Sequence, residues 1–236
     1  YSEDRNRPDK SGTSRMSAHL KFGTIHPRTM VKGLNIRETG AGAYLRELAF
    51  RDFYAEVLNQ WPRSAWWNWN ANFDTIDVDT DASAEKRFEA WKQGRTGYPI
   101  VDAGMRELAG SGFMHNRVRM IVASFLVKDL HLPWQWGARW FLDQLVDGDM
   151  ANNQHGWQWC AGSGTDAAPY FRVFNPTAQG EKFDPAGDYV RRWVPELADV
   201  ADVHKLKSGR PPGYPEPIVD HAAERTEALA RYGRIG

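Results

Sequence analysis

"FMHNRVRMIVASFLVKDL", residues 113–130, decides the fold class. Val118, Ile121, Val122, Phe125 and Leu126 recur at three- and four-residue spacing, the period of one helix face and not the alternation of a strand. Its first turns carry His115, Asn116, Arg117 and Arg119, which need partners if they are buried. Working outward, "AGAYLRELAFRDFYAEVLNQWP", residues 41–62, repeats the pattern with Leu45, Leu48, Ala49, Phe53 and Val57, and Glu47 and Arg51 form an i,i+4 pair on its polar side. Nearer the N-terminus a short helix is expected in 13–23, capped by Thr13 or Ser14 and stopped by Gly23, and another from Pro27 to Gly33. Residues 83–94 form a capped helix ending at Gly94, and Pro99 starts the next. Further helices fall at 134–146 and 149–160, one opens at Asp184-Pro185 and runs through 197, and a charged helix closes the chain near 217–232. Residues 1–12 and 63–82 read as turns and loop, and strand-like alternation and internal repeats are nearly absent. The expectation is one all-α domain, with a body at 1–203 and a Pro/Gly-rich wrap and terminal helix of the same domain at 204–236.

A chain of 236 residues with 42% hydrophobic content can build a substantial core. Lys plus Arg and Asp plus Glu are equal at 30 each, so a polyanionic partner would need a local basic patch. The single cysteine, Cys160, excludes a disulfide framework and fits a reducing, cytoplasmic compartment. No apolar run has membrane length and no signal-like segment is visible. The start at Tyr1 instead of Met marks a fragment with more chain expected upstream. Tryptophan is unusually frequent at 11, and Trp61, Trp66, Trp67 and Trp69 crowd a polar, proline-flanked stretch that reads as a packed loop.

The chemistry concentrates in "DGDMANNQHGWQWCAGSGTD", residues 147–166. A metal site is not indicated, because His115 and His155 lack HExxH spacing and Cys160 stands alone. Nor is there a Gly-x-Ser-x-Gly elbow, and the glycine loop at 162–166 lacks the P-loop lysine. A large planar heterocycle bearing phosphates accounts for the polar groups better. "GTSRMS", 12–17, offers hydroxyls and backbone N–H groups to a phosphate, and Arg51 and Arg119 can neutralise its charge. Asp147 and Asp149 can accept from ribose hydroxyls or ring N–H groups, and Asn153 can face a heteroatom whose protonation changes. Each alone reads equally as a cap or a surface charge; together they point to a nucleotide cofactor.

These residues carry a resemblance. "GTSRMSAHLKFGTIHPR" (12–28), "GRTGYPIVDAGMREL" (94–108), "GFMHNRVRMIVASFLVKDL" (112–130), "DGDMANNQHGWQW" (147–159) and "GTDAAPYFRVFNPTAQGEKFDPAGDYVRRWVPEL" (164–197) resemble the FAD-binding helical domain of the DNA photolyase/cryptochrome family, nearest to class I cyclobutane pyrimidine dimer photolyases. The similarity covers nearly all of residues 1–200 in order, and the family's N-terminal α/β antenna domain is absent from the sequence. The resemblance implies that Tyr1, Thr13, Ser14, Arg15, Met16 and Ser17 line FAD and that Arg51, Asn116 and Arg119 hold its phosphate and sugar side. It implies that Asp147 and Asp149 lie beside the flavin ring and adenosine, with Arg172 as partner of Asp147, and that Asn153 sits next to flavin N5. Tyr44, Glu47 and Phe113 complete the cofactor side.

The implied substrate is double-stranded DNA containing a pyrimidine dimer, which is flipped out of the duplex into a pocket above the flavin. Glu47, Arg117, Met120 and Trp159 match residues that contact the dimer, Phe50 stands at the dimer-stacking position, and Arg5 and Arg117 are candidates for backbone-phosphate contact. The implied reaction is electron transfer from photoexcited reduced FAD, ring splitting and electron return, by a cytoplasmic monomer that is nucleoid-associated in a bacterium. Departures from the family pattern accompany the match. Phe50, Tyr44 and Phe113 stand where tryptophans are common. Trp157 and Trp134 match the inner and middle members of an electron-transfer chain whose outer position falls near Asp81, so either another aromatic such as Trp136 or Trp140 takes that place or photoreduction is impaired. The alternatives to dimer repair are a cryptochrome-like photoreceptor that binds FAD without repairing, a (6-4) photolyase, and a flavin-free helical DNA-binding module.

Overall fold

In the computed structural model, which describes residues 1–206 and 209–235, every regular element among the described residues is helical. Two short helices, α1 (Ser17–Phe22) and α2 (Pro27–Lys32), lead into the long α3 (Thr39–Gln60). Loops with short 3-10 turns connect to α4 (Ala82–Lys92) and α5 (Pro99–Ser111). Then follow α6 (Asn116–Lys128), α7 (Trp134–Gln144), α8 (Met150–Ala161), α9 (Pro176–Phe183), α10 (Asp188–Trp193) and α11 (His221–Gly233).

The centre of the molecule is α6, packed by α5, α7, α8, α9 and α11. Its sequence shows one apolar face, yet from Ile121 to Lys128 every residue is buried, so the second half is enclosed on all sides. Close approach explains two glycines. A Cβ at Gly104 would fall into Val118 and one at Gly137 into the Trp157 ring, so these glycines let α5 reach α6 and α7 reach α8.

Several local readings need correction. No side chain caps α1, whose N-cap position is Met16; Thr13 and Ser14 precede the helix, although Gly23 does end it in the left-handed region. In α3 only Ala41, Leu48 and Val57 are buried, while Leu45 and Phe53 are exposed. Among the described residues the helix packs mainly on α8 and the 62–65 turn, which leaves Leu45 and Phe53 exposed. The helix read from Asp184 begins at Asp188 instead, because the Asp184 carboxylate accepts the N–H groups of Tyr189 and Val190, each at 3.0 Å, and caps it from a preceding turn. The eight-residue α9 was too short to show a period and was not expected. The wrap after residue 203 is fastened by Tyr214 Oη donating to Asp102 at 2.7 Å and by Ile218 N–H donating to Thr96 O at 3.0 Å. Among the described residues no helix is long and apolar enough to cross a membrane.

Candidate functional site

Three helices turn matching stripes toward one cavity of about 340 Å³. α3 supplies Glu47, Phe50, Arg51 and Tyr54, and α6 supplies Asn116, Arg119, Met120 and Ala123, each set at i, i+3, i+4, i+7. α8 supplies Asn152, Asn153, Gly156, Trp157, Trp159 and Cys160, while Asp147, Gly148 and Asp149 come from the turn before it. The apolar floor is Phe141 and Leu145. The volume is that of a small-molecule site.

The charges in it are organised. Arg119 Nη2 donates to both oxygens of buried Asp147 at 2.9 Å, and its Nε donates to Met114 O at 2.7 Å. Asp149 is the N-cap of α8, accepting Asn152 N–H at 2.9 Å and Asn152 Nδ2 at 2.6 Å. Asn153 Nδ2 donates to Ala138 O at 2.9 Å and Gln154 Oε1 at 2.7 Å; among the described residues nothing donates to its Oδ1. Glu47 is paired with Arg5 at the rim. Arg51 holds Asp52 at 3.0 Å and Leu20 O at 3.4 Å. Tyr54 stacks parallel on His155, with ring centroids 5.3 Å apart, and burial pushes its phenol up to about 12. Burial also pushes the Cys160 thiol up to about 12, which keeps it a thiol.

Two expected pairings are replaced. Glu47 and Arg51 do not pair with each other, because Arg5 and Asp52 take them. Asp147 is held by Arg119, while the Arg172 guanidinium lies over Trp159 at 5.8 Å and Phe174 at 5.1 Å.

The other anticipated residues are not among those that line this cavity. Tyr1 packs edge-on against Tyr44 at 5.2 Å, and Tyr44 Oη donates to Ser14 at 3.1 Å. Arg15 and Arg119 both lie over the Phe113 ring, at 4.9 and 5.5 Å. Arg15 holds φ at 52°, a left-handed conformation unusual for a side-chain-bearing residue and common where a loop is shaped for a ligand. Thr13, Met16 and Ser17 flank it, the last opening α1. Arg117 donates to Asn6 Oδ1 at 2.7 Å and stacks on Phe183 at 4.4 Å. Trp134 lines a different cavity of about 450 Å³ with Trp66, Trp67 and Phe73. That cavity is larger, but its one arginine, Arg231, is already held by Asp79 and Glu227. The α3–α6–α8 cavity has two arginines in its lining, Arg51 and Arg119, and the larger one has a single arginine.

Tyr54 and Trp91 were missed. Trp91 is fully buried, its ring centroid 6.1 Å from Trp157, and continues through Phe88 to Trp136 at 5.7 and 5.3 Å. Tyr54 was legible from its place seven residues after Glu47; nothing local marked Trp91.

The class this fold and site define is a helical domain that holds a large anionic planar cofactor beside an aromatic-walled opening. The donor set fits FAD: Arg51 and Arg119 for a diphosphate, Asp147 and Asp149 as acceptors, and a free amide oxygen on Asn153. A family model described as the FAD binding domain of DNA photolyase matches residues 44–234. A deoxyribodipyrimidine photo-lyase of Agrobacterium fabrum is 48% identical over 253 residues, covering 100% of this chain and 52% of the relative. A bacterial class III photolyase structure from Agrobacterium tumefaciens matches with TM-score 0.92 and 47% identity, over 100% of this chain and 52% of that one. A Synechocystis cryptochrome structure matches with TM-score 0.87 and 33% identity, over 98% and 51%. The chain therefore belongs to the DNA photolyase FAD-binding domain family, whose cofactor is FAD, and it spans about half the length of these relatives.

Proposed function

We propose that the protein carrying this chain repairs cyclobutane pyrimidine dimers in double-stranded DNA when illuminated. The observation that carries this reading is the mixed lining of the α3–α6–α8 cavity. Its lining joins a polar set, Arg119, Asp147 and Asn153, that suits the cofactor, to a carboxylate and flat or polarisable groups, Glu47, Phe50, Met120 and Trp159, that suit the flipped dimer. When bound, FAD would supply the light-excited electron that opens the dimer's ring. The chain's own residues do the rest. Asp147, neutralised by Arg119, accepts from the cofactor's ring N–H, and Arg51 faces the diphosphate. Asn153, whose amide hydrogens are held by Ala138 O and Gln154 Oε1, would present its carbonyl oxygen to flavin N5 and accept from it when N5 is protonated. Trp159 stacks a flipped base, and Glu47, oriented by Arg5, hydrogen-bonds its polar edge. Arg5 and Arg117 give the local cationic patch that a chain of zero net charge needs for phosphate contact. Trp157, touching Trp91 and Phe141, begins an aromatic path from the cavity wall, with Trp134 nearby in sequence on α7.

The test is blue light on the chemically reduced protein with a thymine-dimer oligonucleotide, reading restored thymine by chromatography. Glu47→Gln should lower the yield while flavin absorbance persists. No restored thymine in the unaltered protein overturns the proposal. One observation favours a second reading, a blue-light receptor without repair: Phe50 gives the substrate side a smaller, more exposed aromatic wall. A light-dependent change in protein partner binding, with no repair, would select it.

A further inference from the structure

Lys128, at the end of α6, is 1% exposed, and among the described residues no carboxylate pairs with it. Its neighbour Asp129 is engaged by His221. The Lys128 ammonium instead donates to two backbone carbonyls of one loop, Arg172 O at 3.0 Å and Tyr170 O at 3.3 Å. Its remaining face meets the Tyr232 ring at 5.4 Å. Tyr232 in turn donates its hydroxyl to Ala161 O at 2.8 Å and stacks parallel with Tyr170 at 6.4 Å.

The loop so anchored borders the cavity. Ala168 N–H donates to Trp159 O at 3.1 Å, and Arg172 lies across the Trp159 ring. Tyr170 and Phe171 are exposed, Phe171 by 62%. Between Pro169 and Val173 the backbone bonds are local, Arg172 N–H to Pro169 O and Val173 N–H to Phe171 O; the loop's ends are tied by Ala168 N–H to Trp159 O and Phe174 N–H to Ser124 Oγ, and the ammonium ties its middle to the core. A lone buried cation is an expensive anchor where a methionine would fill similar space without desolvating a charge. Packing therefore does not explain it.

We propose that Lys128 is a positioning residue for the substrate side of the cavity: it fixes the 168–173 loop and, through Arg172, the Trp159 wall. This rests on the repair reading above. Burial lowers its amine to about 8. The groups facing it are Cys160 from α8, a thiol at that pH, Arg172 from the loop, Asp129 beside it and the neutral Tyr232 phenol of α11.

The experiment compares the protein with Lys128→Met and Lys128→Arg by three measurements. These are amide hydrogen exchange over 168–174 without DNA, Tm, and Kd for a thymine-dimer oligonucleotide from pH 6.5 to 9.5. Expected for Lys128→Met is an unchanged or higher Tm at pH 7, because a buried charge that the fold resists has been removed. Exchange at Arg172 and Val173 should nevertheless quicken, and Kd should weaken about tenfold, the lower end for lost hydrogen bonds to a charged group. The unaltered protein should lose affinity with a midpoint near pH 8, Lys128→Met should show no such step, and Lys128→Arg should move it upward. Unchanged loop exchange in Lys128→Met overturns the proposal, as does a lowered Tm with unchanged Kd. Failure of the unaltered protein to bind the dimer would sink the repair reading, and the exchange data then judge the anchor alone.

Discussion

Acidification from pH 7 to 4 should destabilise the fold through His115. Its Nδ1 accepts Arg117 N–H at 3.1 Å as the N-cap of α6, and among the described residues its buried Nε2 has no partner, so the ring is built in as a neutral group. Burial first, then the cations of Arg117, Arg119 and Arg15, pushes the imidazole from 6.5 down to about 4. At pH 7 neither the folded nor the unfolded chain holds the proton, and the residue costs nothing. Between 6.5 and 4 the unfolded chain takes up a proton that the folded one refuses, so stability falls with pH and levels off below about 4. At about 1.4 kcal/mol per pH unit the loss is on the order of 3 kcal/mol, a large part of the ~5–15 kcal/mol that holds a typical domain folded.

Asp129 works in the opposite sense over part of the window. Burial raises its carboxyl to about 6, so the folded chain binds that proton first and gains stability as pH falls from there toward 3.8. The total curve therefore mixes two signs, and the informative quantity is the difference between the unaltered protein and His115→Asn. Asparagine still caps a helix but does not titrate. The assay is urea unfolding followed by tryptophan fluorescence at half-unit steps from pH 7 to 4. The two stability curves should run parallel above 6.5 and converge or cross below it. A difference that stays constant over the whole window refutes the reasoning.

Gly137→Ala should cost about 1–3 kcal/mol, since a Cβ there collides with the Trp157 ring and must displace α7 or the cavity wall. A lower Tm together with weaker flavin binding checks it, and an unchanged Tm would show that the helices have slack. Arg119→Met strands buried Asp147 and should cost about 3–5 kcal/mol. Flavin absorbance after gel filtration should fall with it, and Arg119→Lys should not restore the contact to both oxygens.

The helical architecture was legible because α5 to α7 are amphipathic and residues such as Pro99 and Gly23 mark helix ends where the sequence placed them. What periodicity could not tell was the nature of the opposing surface. In α3, Phe50 and Tyr54 line the cavity while Leu45 and Phe53 are exposed, so an apolar repeat that reads as a core face fronts an open site. Pairings over long sequence separations were equally hidden. Arg119 meets Asp147 and Arg5 meets Glu47 because separate helices converge, and local spacing instead offered the i,i+4 pair of Glu47 and Arg51. Residue types named the chemistry of the site; only the packing of α3, α6 and α8 named its partners.

The polar excess of α8 separates into two sets by who satisfies it. Gln158 accepts Trp69 N–H at 2.8 Å and donates to Ser64 O at 2.7 Å, Gln154 donates to Ala65 O at 2.6 Å, and His155 Nε2 lies 3.0 Å from Ser64 Oγ. These groups are spent holding the tryptophan-rich 61–69 loop against the helix, so their burial is offset inside the fold. Asn153, Trp157 and Trp159 line the cavity instead, and the Asn153 carbonyl oxygen has no donor among the described residues. The two sets should fail differently. Gln158→Leu leaves Trp69 N–H and Ser64 O without partners and should cost about 2–4 kcal/mol of stability, with flavin affinity of the folded protein preserved. Asn153→Ala should shift the flavin's redox behaviour and absorption with a smaller change in Tm. Equal losses of both properties in both variants would mean that α8 does not divide its polar groups between scaffold and site.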